Sequence, residues 1–355
     1  MSKIKIAVIF GGKSTEHEVS NVSGTSVISN LDKEKYEIFP IYIDKNGEWH
    51  KYTENIEKIH IFEIGEEPKK LEKIGSINDY LKSMDVIFPV LHGLYGEDGT
   101  IQGMFELVGV PYVGCKVLAS SVCMDKVYSK IIFEKAKINQ TKYVVLKHKE
   151  NNIYAYVDDE LNENNITLDE SLDKIEEKIK YPMFVKPSNS GSSVGINKAE
   201  NKKELKEAIE FAKDYDFEII VEQGINGKEV ECAVLEEDGE VKASCVGQIL
   251  SAEEFYSYSS KYTNVKSQTL IPADISVEKQ EEIRALAVKA FKAVLGNGIS
   301  RVDFFVENET NKVYINEINT MPGFTKISMY PQLWEKCGLS YSNLLNKLIQ
   351  TAMKK

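Results

Sequence analysis

Arg301-Val302-Asp303-Phe304-Phe305-Val306, a polar stretch from Glu307 to Asn311, and then Lys312-Val313-Tyr314-Ile315-Asn316-Glu317-Ile318-Asn319 form the segment from which this chain is best read. Two β-branched and aromatic runs flank a polar loop, which is the pattern of a hairpin. Closing the strands around residues near 310 sets Asp303 opposite Glu317 and Arg301 opposite Asn319. Side chains alternate along a strand, so all four then share one face. Like charges directly across a ladder destabilise it unless something compensates, and a divalent cation held by Asp, Glu and Asn oxygens does so. Magnesium suits such hard oxygen ligands and commonly bridges to nucleotide phosphates, so the ligand set implies a partner such as ATP. The bland reading is a solvent-facing polar strand side with Arg301 balancing the acids. A slip of one residue in register would turn Asp303 to the other face.

Working outward, Met183 to Pro187 and Val194 to Asn197 predict two strands of a hairpin joined by Ser188-Asn189-Ser190-Gly191-Ser192-Ser193. The run Ser190-Gly191-Ser192-Ser193-Val194-Gly195, preceded by Lys186, is a candidate phosphate loop. Glycines let the backbone approach a ligand, hydroxyls and successive N–H groups donate to phosphate oxygens, and Lys186 adds a point charge. A flexible hairpin turn has the same composition. Gly12-Lys13-Ser14 looks like the tail of a P-loop, but the first glycine of that motif would fall at Ala7, inside a strand. The segment is better read as a substrate loop with Glu16 near a helix start. The Gly11-Gly12 pair also lacks the GxGxxG spacing of a nicotinamide-binding turn.

Ile4 to Phe10, Tyr36 to Ile43 and Asp85 to Leu91 read as strands, with a helix over Val19 to Leu31, so the chain to about Ser121 is expected to form a parallel α/β domain. Beyond Met124 the spacing predicts helices over 125–136, 168–179 and 203–213, with further strands at 218–222 and 230–235. The charged, Asn-rich tract from Lys147 to Asn165 reads as solvated surface. The last third holds a helix over 277–295, the hairpin, and an amphipathic helix over 341–353.

A chain of 355 residues exceeds one compact core, and its 42% hydrophobic and 28% charged residues are those of an ordinary globular enzyme of two or three domains. A net charge of −11 argues against a nucleic-acid surface, though not against a nucleotide held by local cations and N–H groups. Five cysteines without CxxC spacing give neither a disulfide framework nor a zinc site. No stretch approaches a membrane span, and the opening apolar run is too short for a signal peptide, so a cytoplasmic location is expected.

Several motifs in one order resemble the D-alanine–D-alanine ligase family of the ATP-grasp superfamily. They are Phe10-Gly-Gly-Lys-Ser-Thr-Glu-His-Glu-Val-Ser20, Leu91-His-Gly93 with Gly96-Glu-Asp-Gly-Thr-Ile-Gln-Gly103, Met124-Asp-Lys126, Val185-Lys-Pro187 with Gly191-Ser-Ser-Val-Gly195, Ser260-Lys-Tyr262, and Asn316-Glu-Ile-Asn-Thr-Met-Pro-Gly-Phe-Thr325. The resemblance implies a three-domain ATP-grasp fold: an N-terminal α/β domain (1–124) for the first substrate and dimer contacts, a central domain (125–224), and a C-terminal domain (225–355) with metal site and lid. It implies that Lys126, Lys186, Ser193 and Lys261 meet ATP, that Glu222, Gln223 and Ile225 line the adenine pocket, and that Glu229 binds the ribose. Asp303, Glu317 and Asn319 would hold two magnesium ions, with manganese as a substitute.

The same resemblance implies that Glu16 holds the ammonium of a first D-alanine, with His92 nearby, and that its carboxylate is activated as an acyl phosphate. Arg301 and the backbone N–H of Gly323 would form an oxyanion hole. Ser328 and Met329 would receive the second substrate's carboxylate, and a Glu16, Ser192 and Tyr262 network would position that substrate under a lid over 255–263. Tyr262, where depsipeptide-forming relatives carry histidine, favours an amine nucleophile. D-serine or D-lactate as second substrate, and a nucleotide-binding regulator without catalysis, are the alternatives. A homodimer is the implied assembly. On the residues alone Glu16 is better read as a helix-start acid, and His92 as a satisfied strand-end histidine.

Overall fold

The computed structural model describes residues 2–150, 152–191, 194–250 and 268–354, and within them three sheets follow one another along the chain. The first consists of β1 (Ile4–Gly11), β2 (Tyr36–Ile43), β3 (Trp49–Tyr52), β4 (Leu71–Lys73) and β5 (Val86–Pro89), in the order β4-β3-β2-β1-β5. Strand β1 lies between β2 and β5 and is parallel to both. Ile6, Val8 and Phe10 enter one core while Ala7 and Ile9 enter another. Burial on both faces is why this strand reads as an unbroken apolar run from Ile6 to Phe10. Helix α1 (His17–Asn30) is the crossover from β1 to β2. The expected parallel arrangement holds for these three strands. β3 and β4 add an antiparallel edge that sequence reading did not include, because Lys51, Glu72 and Lys73 blur their alternation. Helices α2 (Ile77–Lys82), α3 (Thr100–Val108) and α4 (Val117–Met124) complete this part of the chain.

Helix α5 (Lys126–Lys135) leads into a second sheet, all antiparallel, made of β6 (Tyr143–His148), β7 (Ile153–Val157), β8 (Glu163–Thr167), β9 (Met183–Pro187), β10 (Asn197–Ala199) and β11 (Glu218–Gln223). Its order is β10-β9-β11-β6-β7-β8. Helices α6 (Leu168–Lys178) and α7 (Lys202–Ala212) cover one face through Leu172, Ile175 and Ile209 against Val185, Ile219 and Val221. On the other face Val127 of α5 packs on Val145 and Ile220. Two expectations need correction. The Asn-rich tract contains β7 and most of β8; β8 is an edge strand exposed along nearly its whole length, so its composition is that of a surface loop. The strand after the glycine loop is Asn197–Ala199 rather than 194–197, because Gly195 turns the chain at a φ of +78° that extended backbone excludes.

The third sheet, also antiparallel, has the order β14-β13-β12-β15-β16 and is formed by β12 (Gly227–Glu237), β13 (Glu240–Leu250), β14 (Gln268–Leu270), β15 (Ile299–Glu307) and β16 (Val313–Asn319). Helix α8 (Val277–Ala293) covers one face, with Ile283, Ala287 and Phe291 against Val230, Val302 and Phe304. Helices α9 (Met329–Lys336) and α10 (Tyr341–Met353) cover the other, and Leu333, Leu344 and Leu348 there join the same core as Ile6, Val8 and Phe10. The first and third sheets therefore share one core, while the second is tied on by the Ile315 N–H donating to the Asn139 carbonyl at 2.8 Å.

Candidate functional site

A cavity of about 630 Å³ opens where the three sheets meet. It is lined by every described residue that the sequence singled out: Glu16, His92, Lys126, Lys186, Glu222, Gln223, Ile225, Glu229, Arg301, Asp303, Glu317, Asn319, Gly323, Ser328 and Met329. Ser192, Ser193, Lys261 and Tyr262, with the rest of the lid over 255–263, lie outside the described residues.

The hairpin pairs Asp303 with Glu317 and Arg301 with Asn319, the register read from the sequence. It does so through an irregularity. Near the turn Val306 pairs with Val313 and Phe304 with Ile315, and the extra residue Asn316 shifts the ladder before Asp303. Without that bulge Glu317 would turn to the opposite face, so one inserted residue aims a carboxylate into the cavity. The face is not solvent: Asp303 is 3% exposed. Arg301 donates from Nε and Nη2 to the two oxygens of Asp303, both at 2.7 Å, and its Nε lies 2.9 Å from Oε2 of Glu231. Asn319 Nδ2 donates to Asp303 Oδ2 at 2.9 Å. Two carboxylates and an amide on one face are a hard donor set that fits magnesium once the amide presents its oxygen, an orientation that rotation supplies. In this arrangement Arg301 carries the positive charge that steadies Asp303.

Opposite the hairpin stands a group of lysines. Asp125 caps α5 by accepting from the N–H groups of Val127 and Tyr128, each at 3.0 Å. The same carboxylate accepts from Ser188 Oγ at 2.9 Å and Asn189 Nδ2 at 3.2 Å, so the start of the helix pins the glycine loop. Lys126 donates to the Ser190 carbonyl at 2.6 Å. Burial pulls its ammonium below the ordinary lysine range, a pull that the charge of Glu317 opposes. On the sheet face turned toward α5, Lys186 donates to Glu222 Oε2 at 2.6 Å and Lys130 lies 2.9 Å from Oε1 of the same carboxylate. Burial alone would raise the Glu222 carboxyl. The charges and hydrogen bonds of Lys130 and Lys186 outweigh it and bring it down to about 2. Partial burial would lower Lys186 as well, yet Glu222, Glu317 and Glu229 together lift it above the ordinary range.

Glu16 sits at the start of α1 but makes no side-chain cap, so its carboxylate is not engaged by the helix's own N–H groups. Its Oε2 lies so near two loops that a Cβ at Gly93 would come within 2.6 Å and one at Gly191 within 2.9 Å. The glycines are there because the backbone must approach this carboxylate. His92 has both ring nitrogens engaged, Nδ1 with the Met321 carbonyl at 3.1 Å and Nε2 with Ser23 Oγ at 3.0 Å, and Nδ1 is 3.8 Å from Glu97 Oε1. Burial lowers its pKa, but the neighbouring Glu97 and Glu16 outweigh that and leave it raised. Buried Glu97 is raised as well, by desolvation and then by the charge of Glu16. At the cavity's far side, Thr325 N donates to Ser328 Oγ at 3.0 Å, and the loop stands so tightly that a Cβ at Gly323 would meet that oxygen at 2.7 Å.

Sequence reading missed Lys130, Glu231 and Glu97. Lys130 follows Lys126 by four residues on one helix face, and Glu231 follows Glu229 by two on one strand, so periodicity carried a signal for both. Glu97 stood within a quoted motif, with nothing to show that His92 would fold back onto it.

Residues 5–115 match the family model described as D-ala D-ala ligase N-terminus, and residues 132–350 the one described as D-ala D-ala ligase C-terminus. The chain is 51% identical to the D-alanine–D-alanine ligase of Acetivibrio thermocellus, across 99% of this chain and 96% of that one. It is 49% identical to that of Clostridium acetobutylicum, across 99% and 98%. Among solved structures it resembles the VanG D-Ala:D-Ser ligase from Enterococcus faecalis, with TM-score 0.84, 41% identity and coverage of 99% and 100%. It also resembles the D-alanine–D-alanine ligase from Coxiella burnetii, with TM-score 0.78, 33% identity and coverage of 99% and 94%.

Proposed function

The chain belongs to the D-alanine–D-alanine ligase family, and from that premise we propose that the cavity joins two D-alanines into D-alanyl-D-alanine for peptidoglycan precursors, converting ATP to ADP and phosphate. The observation that carries the reading is the meeting of Asp303, Glu317 and Asn319 with Lys126, Lys186 and Glu16 on one cavity of an ATP-grasp fold.

The carboxylate of the first D-alanine attacks the γ-phosphorus of ATP, giving an acyl phosphate and ADP. The amine of the second then attacks the acyl carbon, and collapse of the tetrahedral adduct releases phosphate and the dipeptide. Glu16 holds the ammonium of the first D-alanine, in a pocket kept narrow by Gly93 and Gly191. His92, fixed at both nitrogens, braces that pocket against the Met321 loop. Lys126 and Lys186 take the phosphates, Glu222, Gln223 and Ile225 line the adenine pocket, and Glu229 takes the ribose. Asp303, Glu317 and Asn319 would hold magnesium, which when bound supplies positive charge at the phosphoryl oxygens. Arg301, turned from Asp303 toward the reacting carbonyl, acts with the Gly323 N–H on the developing oxyanion. The Ser328 hydroxyl, next to that N–H, receives the second carboxylate with Met329 beside it. Ser192, Ser193, Lys261 and Tyr262 keep the roles the resemblance gives them.

The working division is 1–124, 125–224 and 225–355, each unit containing one sheet. No helix among the described residues is long and apolar enough to cross a membrane, and the substrates are cytoplasmic metabolites in this reading. For the homodimer, Leu107 on α3, 89% exposed, is apolar surface that a second copy could cover.

With ATP, magnesium and D-alanine at neutral pH the protein should release ADP and phosphate and accumulate the dipeptide. Asp303→Asn should cut turnover by about 100-fold or more, since charge stabilisation at the reacting oxygens is lost. Inertness with D-alanine but rapid turnover when D-serine or D-lactate is added would reassign the second substrate. No nucleotide turnover under any of these conditions would leave the regulatory alternative standing.

A further inference from the structure

Lys130 is among the most deeply buried charged side chains in the described structure, 2% exposed, and the chemistry above does not use it. It stands behind the cavity wall rather than in it. Its ammonium has three neighbours: Glu222 Oε1 at 2.9 Å, Thr141 Oγ1 at 3.4 Å, and the ring of Tyr143, whose centroid is 5.3 Å away. Burying an ammonium is costly, and a methionine of similar length would fill the space without that cost. Glu222 does not need it merely to be paired, because Lys186 already occupies its other oxygen at 2.6 Å.

The charge count explains the arrangement. Two ammoniums share one carboxylate, so these three side chains together keep one positive charge, which Glu317 and Glu229 face from across the cavity, and only Lys186, 14% exposed, presents it there. Remove Lys130 and the remainder is a neutral Lys186–Glu222 pair. Both carboxylate oxygens could then close on Lys186, and an entering phosphate would have to pull that ammonium away. Lys130 engages one oxygen and leaves Lys186 held by a single contact, oriented but not captured.

We propose that Lys130 is a positioning residue for the triphosphate, acting through Glu222 to keep Lys186 aimed into the cavity and the cluster one charge positive. This inference rests on the ATP-dependent reading given above. Helix α5 then serves the nucleotide twice, through Lys126 on the glycine loop and, one turn later, through Lys130 on the wall behind it.

The test is steady-state kinetics on the full-length protein, with direct binding of a non-hydrolysable ATP analogue and thermal unfolding alongside. Lys130→Met should raise the KM for ATP about tenfold or more and weaken analogue binding to match, while kcat stays within about threefold. The KM for D-alanine should stay within about twofold, since the loss is of uniform nucleotide binding. A purely structural role predicts instead that both KM values and the melting temperature worsen together. Unchanged ATP affinity in Lys130→Met, or a KM for D-alanine that rises in step with the KM for ATP, overturns the proposal. A wild-type protein that neither binds the analogue nor turns over ATP overturns the underlying reading, whatever Lys130 does.

Discussion

Glu222 holds two ammoniums at once, those of Lys130 and Lys186. Its carboxyl titrates near 2 against an ordinary value of 4.5, because Lys130 and Lys186 hold it ionised despite burial. The unfolded chain therefore binds a proton that the folded one refuses, and stability rises with pH across the window from about 2 to 4.5. Glu222→Gln leaves two ammoniums without their shared counterion, a loss of about 3 to 5 kcal/mol at neutral pH. Denaturant melts of wild type and variant should thus diverge most above pH 4.5 and converge as pH falls toward 2. A gap that stayed constant across that range would mean the carboxylate is not held by the two lysines. Glu222 was legible in the sequence only as part of a nucleotide pocket. Its charge partner Lys130 gave only its spacing from Lys126, a weak signal because a lysine four residues along a helix is ordinarily just another solvated side chain.

At the scale of elements, the readable parts were those whose period is strong. The terminal helix is found over Tyr341–Met353, the bounds its amphipathic pattern gave, and the hairpin closes in the register that sets Asp303 opposite Glu317. Strands β3, β4 and β8 were unreadable, since they bury too little to select one face. The bulge at Asn316 was hidden as well, for it shows only as a shift in pairing. The glycine loop is an element whose purpose emerges from contact rather than composition: its Gly191 lies where an added Cβ would stand 2.9 Å from Glu16 Oε2. Gly191→Ala should push that carboxylate off the ammonium of the first D-alanine, raising the KM for D-alanine about tenfold while leaving the KM for ATP and the melting temperature near wild type. Equal damage to both substrates would point instead to a general distortion of the loop.

Across the whole molecule, the site depends on a seam. The first and third sheets share a core, and Phe324 is fully buried within it, its ring 5.8 Å from Phe88 in a T-shaped contact and 5.7 Å from Tyr330. Its N–H donates to Ser23 Oγ at 3.3 Å, and Tyr341 of α10 donates to its carbonyl at 2.8 Å. Gly323 and Ser328, on the same loop, are positioned by that anchorage. Of the lysines that would take ATP, Lys186 stands on β9 of the second sheet and Lys126 at the start of α5, and the cores beneath them contain none of these residues. Truncating Phe324 to Ala should therefore cost about 3 to 5 kcal/mol of stability. At a temperature where the variant remains folded, kcat and the KM for D-alanine should suffer while the KM for ATP barely moves. Phe324→Leu, which refills most of the volume, should recover both together. If stability fell with D-alanine kinetics intact, the seam would hold the sheets together without setting the acceptor end of the cavity, and the oxyanion role given to Gly323 would lose its support.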